Sequence, residues 1–149
     1  MLHRTRNLPP DLSVMHLLHR SGQRADEVFS LSIGNSDITP RQYEVLSVVA
    51  TKDGASQTDI VNATGIDRST TAELVARLVK KGWLQRRRAK DDARAYAVRI
   101  TAAGKKAMKI GEGACLEVDE KVLAGLSPAQ RTKLIKALGA IVQELGSPA

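Results

Sequence analysis

The sequence lacks several features that mark large classes of proteins. It has a single cysteine among 149 residues, which excludes an intramolecular disulfide framework and a zinc cluster built on cysteines. No apolar run approaches the roughly 18 residues that a membrane span requires. Residues 1–10 are basic, end in two prolines and lack the apolar segment of a secretory signal, so we expect them to form a mobile or extended arm. A soluble cytoplasmic protein without a membrane partner is therefore expected.

Catalytic and cofactor motifs are also missing. There is no glycine-rich phosphate-binding loop, and the sole cysteine has no histidine close to it in the sequence. The three histidines cluster near the N-terminus. His16 and His19, together with Asp11, lack further ligands at helical spacing, so no metal site is predicted. We expect neither an enzyme nor a cofactor.

Charge is distributed unevenly along the chain. Twelve of the 23 Lys and Arg residues fall between Arg77 and Lys109, where Asp91 and Asp92 are the only acids, although the whole chain carries +7. Basic side chains that neutralise phosphates release condensed counterions, so this concentration indicates a polyanion as partner. An apolar content of 42% is enough for a folded core beside the basic segment.

Apolar periodicity and capping residues predict six helices. Thr39, Ser56 and Ser127 each precede a Gln or Asp three residues later, which is the pattern of a capping box. Gly65 supplies a tight turn, and Asp67 can cap the helix that follows. The expected helices cover, in order, residues 11 to about 33, 39 to about 52, 56 to about 64, 67 to about 81, 101 to about 123, and the segment from 127 onward.

A predicted hairpin separates the fourth and fifth helices. Residues 83–88 and 94–100 have strand-like patterns, and residues 89–93 form the tip between them. Two short helices joined at Gly65 make a helix-turn-helix unit, and the hairpin that follows makes a wing. An apolar seam on the sixth helix steps by four, three and four residues from Leu134 to Leu145, which is coiled-coil-like spacing. The fold is therefore predicted as mainly α with a small β-hairpin wing.

The fourth helix has an apolar face and a polar face. At roughly 100° per residue, Leu74, Val75, Leu78 and Val79 lie together, while the opposite face carries small hydroxyls and then an arginine. Hydroxyls and helix N-termini bind phosphates, and Arg binds guanine bidentately in the major groove. An ordinary solvated face is the alternative. The candidate DNA-binding residues, including the third helix and the wing, are Ser56, Gln57, Thr58, Arg68, Ser69, Thr70, Glu73, Arg77, Lys80, Arg86, Arg87, Arg88, Lys90, Asp92 and Arg94.

The wing carries five basic side chains: Arg86, Arg87, Arg88, Lys90 and Arg94. A basic hairpin beside a recognition helix can lie over the adjacent minor groove, whose narrow form favours Arg. Charge on an exposed hairpin also discourages edge-to-edge pairing of strands. That structural role accounts for one or two charges, whereas five favour DNA binding.

Two segments resemble the MarR family of transcriptional regulators. The run Asp92-Ala93-Arg94 with Tyr96–Gly104 is similar to the family's wing signature, D-x-R…L-x-L-T-x-x-G, with Val98 in place of the usual Leu. Upstream, Leu78–Arg86 resembles the family's join between recognition helix and wing, L-x-x-x-G-L/W-[VI]-x-R. The order of helices matches over nearly the whole chain.

The resemblance implies a winged helix-turn-helix with flanking dimerisation helices, and an obligate homodimer in which the first, fifth and sixth helices interlock. Apolar seams at both ends of the chain agree, because they otherwise lack a partner. It also implies that Asp92 holds Arg94 in the wing by a salt bridge. We expect an N-terminal arm and dimerisation helix at 1–36, a DNA-binding lobe at 37–101 and C-terminal dimerisation helices at 102–149. The expected partner is a pseudo-palindromic double-stranded DNA operator.

Proteins of this family often bind small-molecule effectors between the dimerisation helices and the DNA-binding lobe. Arg and His there could hold a carboxylate or phosphate, and residues 15–20 resemble those of members that respond to aromatic acids or CoA thioesters. For each residue the alternative is a solvated or inter-subunit position. The candidate effector-binding residues are His16, His19, Arg20, Tyr43 and Leu46.

Three functions compete on this pattern. The first is a dimeric, ligand-responsive repressor, and the second is a constitutive architectural nucleic-acid-binding protein without an effector. The third, an enzyme that uses the fold for protein contacts, is disfavoured by the missing catalytic residues.

Some relatives sense peroxides through a thiol, but Cys115 lies seven residues from both Met108 and Val122 on an apolar stripe. We therefore expect a buried, inert structural cysteine.

Overall fold

The computed structural model describes residues 13–88 and 96–145. The expected N-terminal arm and hairpin tip lie outside these residues. The helices are α1 (Val14–Ser32), α2 (Pro40–Thr51), α3 (Gln57–Thr64), α4 (Arg68–Lys80), α5 (Ala102–Val122) and α6 (Pro128–Leu145), and the strands are β1 (Ala55–Ser56), β2 (Leu84–Arg88) and β3 (Tyr96–Ile100). The mainly α winged helix-turn-helix prediction is confirmed.

The predicted capping residues begin the helices. Thr39 and Gln42 form a reciprocal capping box at α2, and Ser56 and Asp59 form another at α3. One prediction was wrong, because α1 begins at Val14 rather than at Asp11. The Ser13 hydroxyl accepts the His16 N–H at 3.1 Å, and this cap fixes where the helix starts.

The sheet has three strands in the order β1-β3-β2, all antiparallel. The sequence analysis missed β1, because two residues are too short to show an alternating pattern. Ala55 pairs with Val98 and is fully buried. This pairing fastens the link between α2 and α3 to the wing.

The core lies between α2, α3, α4 and the inner face of the sheet, and it extends to Phe29 of α1 and to Ala107 and Ala114 of α5. Leu46, Ile60, Leu78 and Leu84 are among its largest fully buried side chains. Thr71 is also fully buried, and its hydroxyl donates to the Ile66 carbonyl at 3.3 Å, which satisfies the polar group. The apolar pattern therefore located the inner face of α4 correctly, except that Thr71 belongs to it.

The two ends of the chain leave apolar surface uncovered. Helix α1 packs mainly along α5, whereas α6 has no extensive packing partner among the described elements. Large apolar side chains of α1, α5 and α6 are exposed to solvent: Met15 (71% exposed), Leu116 (63%), Ile135 (64%) and Val142 (70%). An apolar surface of this extent marks an interaction site rather than an ordinary exterior.

Candidate nucleic-acid interface

A glycine turn sets the angle between α3 and α4. Gly65 has a φ of 71°, in the left-handed region, and its N–H donates to the Val61 carbonyl at 2.9 Å. The Asp67 carboxylate then accepts the backbone N–H of Thr70 at 2.8 Å and its hydroxyl at 2.7 Å. The backbone hydrogen bond from Thr70 is the main cause that holds the pKa of Asp67 below its ordinary value.

Side chains of the candidate interface also cross-link the two helices. The Gln57 side-chain amide donates to the Arg68 carbonyl at 3.1 Å, and the Arg68 guanidinium donates to the Thr58 hydroxyl at 3.3 Å. All three residues are exposed. They hold the helix-turn-helix together at its surface, where a duplex could meet them.

The exposed face of α4 has the predicted polar character. Ser69, Glu73, Arg77 and Lys80 are exposed, and Arg77 and Lys80 form no ion pair with any described residue. Two of the predicted hydroxyls have structural roles instead. Thr70 donates to Asp67, and half-buried Ser56 accepts the Asp59 N–H as the N-cap of α3.

The pleat of the wing separates arginines that are consecutive in sequence. Arg86 lies opposite Val98 and lines a small hollow with residues of α3 and α4, so it is on the inner face. Arg87 lies opposite Ala97 and is on the outer face, while Arg88 shares the inner face with Arg86. Only part of the basic hairpin can therefore face the same groove as α4.

The root of the wing depends on a close backbone approach. The Thr101 N–H donates to the Trp83 carbonyl at 3.0 Å, and the Thr101 hydroxyl donates to the Gly82 carbonyl at 2.6 Å. A Cβ at Gly104 would collide with that Trp83 carbonyl. This contact explains physically why a threonine followed three residues later by a glycine begins α5.

The sequence analysis did not predict two ion pairs between segments that are far apart in the sequence. The Arg99 guanidinium makes two hydrogen bonds to the Asp53 carboxylate, of which the one between Nη2 and Oδ2 measures 2.7 Å. The ammonium of Lys81 reaches Asp37. The paired residues are 46 and 44 positions apart, so no local pattern could have revealed them.

Comparison with known proteins identifies the fold and family. Residues 36–95 match the model of the MarR family. The chain is also 33% identical, over 122 residues, to a protein of Thauera aromatica assigned as the transcriptional regulator of the hcr operon, with coverage of 81% of this chain and 74% of that protein. The chain belongs to the MarR family of transcriptional regulators.

Solved structures of MarR-family proteins superpose on most of the chain. BpsR of Bordetella bronchiseptica, whose DNA binding is regulated by 6-hydroxynicotinic acid, gives a TM-score of 0.77 at 28% identity over 86% of this chain and 97% of that one. A cysteine-to-serine variant of Escherichia coli MarR, solved with operator DNA, gives 0.80 over 88% and 94%. At 20% identity the second likeness shows the fold alone.

Three of the candidate DNA-binding residues lie outside the described part of the chain. Lys90, Asp92 and Arg94 lie in the segment that is not described, so the proposed salt bridge in the wing stays a prediction. Within residues 13–88 and 96–145, no helix is long and apolar enough to cross a bilayer. The same residues contain no group of three potential metal ligands from His, Cys, Asp and Glu.

The candidate effector residues do not share one environment. His16 is half-buried on α1, while His19 and Arg20 are exposed there. Tyr43 is half-buried and packs its ring near Phe29, with 6.3 Å between ring centroids. Leu46 is fully buried in the core, so its side chain lines no open surface of the described chain.

Cys115 is half-buried, not fully buried as the sequence suggested. Burial is the main cause that raises the pKa of its thiol, and the charges of Asp119 and Glu44 raise it further, while a hydrogen bond with Tyr43 acts in the opposite direction. A raised pKa leaves little thiolate near neutral pH. This environment fits a structural cysteine better than a reactive one.

Proposed function

We propose that this MarR-family regulator is a dimeric, sequence-specific DNA-binding repressor that a small-molecule ligand releases from its operator. The observation that carries the proposal is the exposed face of α4, where the Ser69 hydroxyl near the N-terminal end is followed by Arg77 and Lys80. The opposite face is buried, so α4 can present only this surface to a groove. Arg in such a position reads guanine through O6 and N7.

The surrounding residues would fix the position of α4 on the duplex. Gln57, Thr58 and Arg68 lie at the N-terminal ends of α3 and α4, where exposed backbone N–H groups attract phosphates. The inner-face arginines, Arg86 and Arg88, extend the same side of the lobe. Lys90 and Arg94 would enter the adjacent minor groove, with Asp92 orienting Arg94.

The proposed dimer would use the two ends of the chain. Residues 1–36 and 102–149 would form the dimerisation region around the DNA-binding lobe at 37–101. Support comes from the exposed apolar side chains of α1, α5 and α6 and from the lack of an extensive partner for α6 among the described elements. A two-fold dimer would place two α4 helices on half-sites about 10 base pairs apart, which makes the operator pseudo-palindromic.

The proposed effector is an aromatic acid or an acyl-CoA thioester. The regulation of the similar BpsR by 6-hydroxynicotinic acid supports an aromatic acid. Arg20 or the histidines of α1 could hold the carboxylate, and Tyr43 could contact the ring. We leave Leu46 out of this site because its side chain is fully buried.

Selection from a random duplex library tests sequence-specific binding. We expect enrichment of a pseudo-palindrome, and Arg77→Ala should cost about 1–3 kcal/mol per site and relax discrimination at one position in each half-site. Arg41→Ala is the control, because Arg41 is exposed on α2, pairs with Glu44, and belongs neither to the proposed dimerisation region nor to the candidate DNA-binding residues. A library that yields no enriched sequence would refute the proposal and favour an architectural protein.

Dimerisation and effector response need separate measurements. Sedimentation should give a dimer, and a compact monomer at low micromolar concentration would contradict the proposed role of α1, α5 and α6 in dimerisation.

A thermal-shift screen of aromatic acids and acyl-CoA thioesters should find a stabilising compound that also lowers affinity for the selected duplex. A compound that stabilises the protein but leaves DNA binding intact would favour constitutive binding. In a reporter strain, deletion of the gene should raise transcription from the operator.

A further inference from the structure

A row of cations runs along the side of the lobe that faces away from α4. It comprises Arg87 and Arg99 on the outer face of the sheet and Lys105, Lys106 and Lys109 on the first turns of α5. We name these five residues the outer basic strip. All except half-buried Arg99 are exposed. Of the five, the DNA-binding prediction from sequence includes only Arg87.

The strip follows one continuous groove. A hollow of about 360 Å³ lies between the end of α2, the outer face of the sheet and the start of α5, where Arg87, Arg99 and Lys105 line it. A second hollow of about 460 Å³ adjoins it and is lined by Lys105, Lys106 and Lys109. Lys105 and Ala50 belong to both hollows, so the two share a wall.

The groove carries a strong excess of positive charge. Among the described residues, Asp53 is the only acid that lines either hollow, and both of its carboxylate oxygens accept hydrogen bonds from Arg99. The three lysines and Arg87 form no ion pair with a described residue. Unpaired cations in a row raise the local concentration of an extended polyanion.

We propose that the outer basic strip binds backbone phosphates of duplex DNA that flanks the operator, beyond the wing. The inference rests on the proposed function, because it needs the dimer to be seated on an operator. Arg86 and Arg87 are neighbours on opposite faces of the same strand. The strip is therefore continuous with the wing and extends the positive surface away from α4.

The lining of the groove favours a duplex over a small anionic ligand. Small-molecule sites enclose most of their ligand and are lined largely by apolar and aromatic side chains. No aromatic residue of the described chain lines either hollow, and the apolar contribution comes from Val49, Ile100, Met108 and alanines. The cations instead lie along an open path, as contacts to successive phosphates require.

The test compares two duplexes and two triple variants by salt titration. The short duplex is a sequence selected by the wild-type protein and trimmed to about 20 base pairs, and the long one adds about 10 base pairs, one helical turn, on each side. The strip variant is Lys105→Gln with Lys106→Gln and Lys109→Gln. The control variant, Lys121→Gln with Lys133→Gln and Lys136→Gln, removes the same charge from exposed positions far along α5 and on α6. Because these positions lie in the proposed dimerisation region, sedimentation must first show that both triple variants remain dimers.

The wild-type protein should show a steeper log–log salt dependence on the long duplex, by about 2 if each of two strips meets one flanking phosphate at roughly 0.9 per contact. The strip variant should lose this difference while it retains its slope on the short duplex, and the control variant should keep the difference. Comparison of the variants removes the effect of duplex length on counterion condensation itself.

Four outcomes would overturn the inference. Equal wild-type slopes on the two duplexes, or equal losses in both variants, would mean that the strip meets no flanking phosphate. A loss of the same size on both duplexes would place the lysines within the operator. Stabilisation by benzoate or inorganic phosphate that is abolished only in the strip variant, with unchanged slopes, would indicate a small-anion site. Failure of wild type to select any sequence would instead refute the proposed function.

Discussion

The ammonium of Lys81 lies 3.0 Å from the carboxylate of Asp37, which joins the end of α4 to the loop before α2. The same ammonium donates to the Gln42 side-chain oxygen at 3.2 Å and lies 4.3 Å from the centre of the Trp83 ring. The hydrogen bond from Lys81 is the main cause that lowers the pKa of Asp37 below its ordinary value. One side chain thus connects α4, the cap of α2 and the root of the wing.

Adjacent lysines should give opposite results when each is replaced by methionine. Lys81→Met should lower the free energy of unfolding by about 1 kcal/mol, largely through the lost contact with the Trp83 ring, and leave the salt dependence of DNA binding unchanged. Lys80→Met should leave stability unchanged, because Lys80 is exposed, and should reduce the salt slope by about 2 per dimer if it contacts phosphate.

Urea unfolding followed by fluorescence suits this comparison, because Trp83 is the only tryptophan of the chain. A changed salt slope in Lys81→Met would show that Lys81 contacts phosphate rather than positioning α4. Asp37→Asn supplies a further check. Its effect on the free energy of unfolding should not add to that of Lys81→Met if the two residues stabilise the protein through their shared ion pair.

Local signals in the sequence were sufficient for most of the fold. Capping boxes, a glycine turn and helical periodicity depend on residues within four positions of each other, and they located the helices and the buried face of α4. Two ion pairs depend on segments that come together only after folding: Lys81 with Asp37, and Arg99 with Asp53. Strand β1 likewise forms only when residues 55 and 56 meet β3. The placement of Arg86 and Arg87 on opposite faces of the sheet depends on the register between β2 and β3.

Two glycines of α5 that lie two positions apart should respond oppositely to alanine. A Cβ at Gly111 would lie 2.5 Å from Cδ2 of Tyr43 and 3.2 Å from its Cβ, so the base of that side chain would have to move. Gly111→Ala should therefore destabilise the protein by about 1–3 kcal/mol. Gly113 has no atom within 4 Å of such a Cβ, and Gly113→Ala should stabilise the helix by up to about 1 kcal/mol.

Thermal unfolding of the two glycine variants checks this pair. Equal destabilisation by both would mean that contact with Tyr43 is not the limiting feature of α5. Tyr43→Leu in the Gly111→Ala background should recover part of the lost stability, because it removes the aromatic ring that the new methyl group meets.

Cys115 should react slowly with alkylating reagents. Burial is the main cause that raises the pKa of its thiol above the ordinary value, so the thiolate fraction near neutral pH is smaller than that of a free cysteine. The rate with iodoacetamide should be lower than that of glutathione at the same pH and should rise only under alkaline conditions. Cys115→Ser should bind DNA and respond to effector as wild type does. Loss of the effector response in a folded Cys115→Ser variant would contradict a purely structural role.

Asp59 should make the stability of the protein sensitive to acid. Its carboxylate accepts a hydrogen bond from Lys52 at 2.8 Å and another from the Ser56 N–H at 2.8 Å. These contacts, that of Lys52 foremost, lower the pKa of Asp59 from 3.8 to about 2. As pH falls through 3.8, the unfolded chain takes up a proton at Asp59 while the folded chain remains charged until about 2. The stabilisation is therefore complete above the unfolded pKa and is lost as pH falls through this window.

Asp59→Asn removes this titration. Near neutral pH the variant should be less stable than wild type by about 1 kcal/mol, the usual contribution of a helix cap. The difference should shrink as the pH falls below 3.8 and should be small near pH 2, where folded Asp59 begins to be protonated as well. Lys52→Met keeps the carboxylate but removes its strongest partner, so the loss of stability should begin at the same pH as in wild type, be smaller, and end at a higher pH. Urea unfolding from pH 7 to pH 2 measures all three proteins, and a wild-type advantage over Asp59→Asn that persists unchanged to pH 2 would show that the Asp59 carboxylate does not anchor α3.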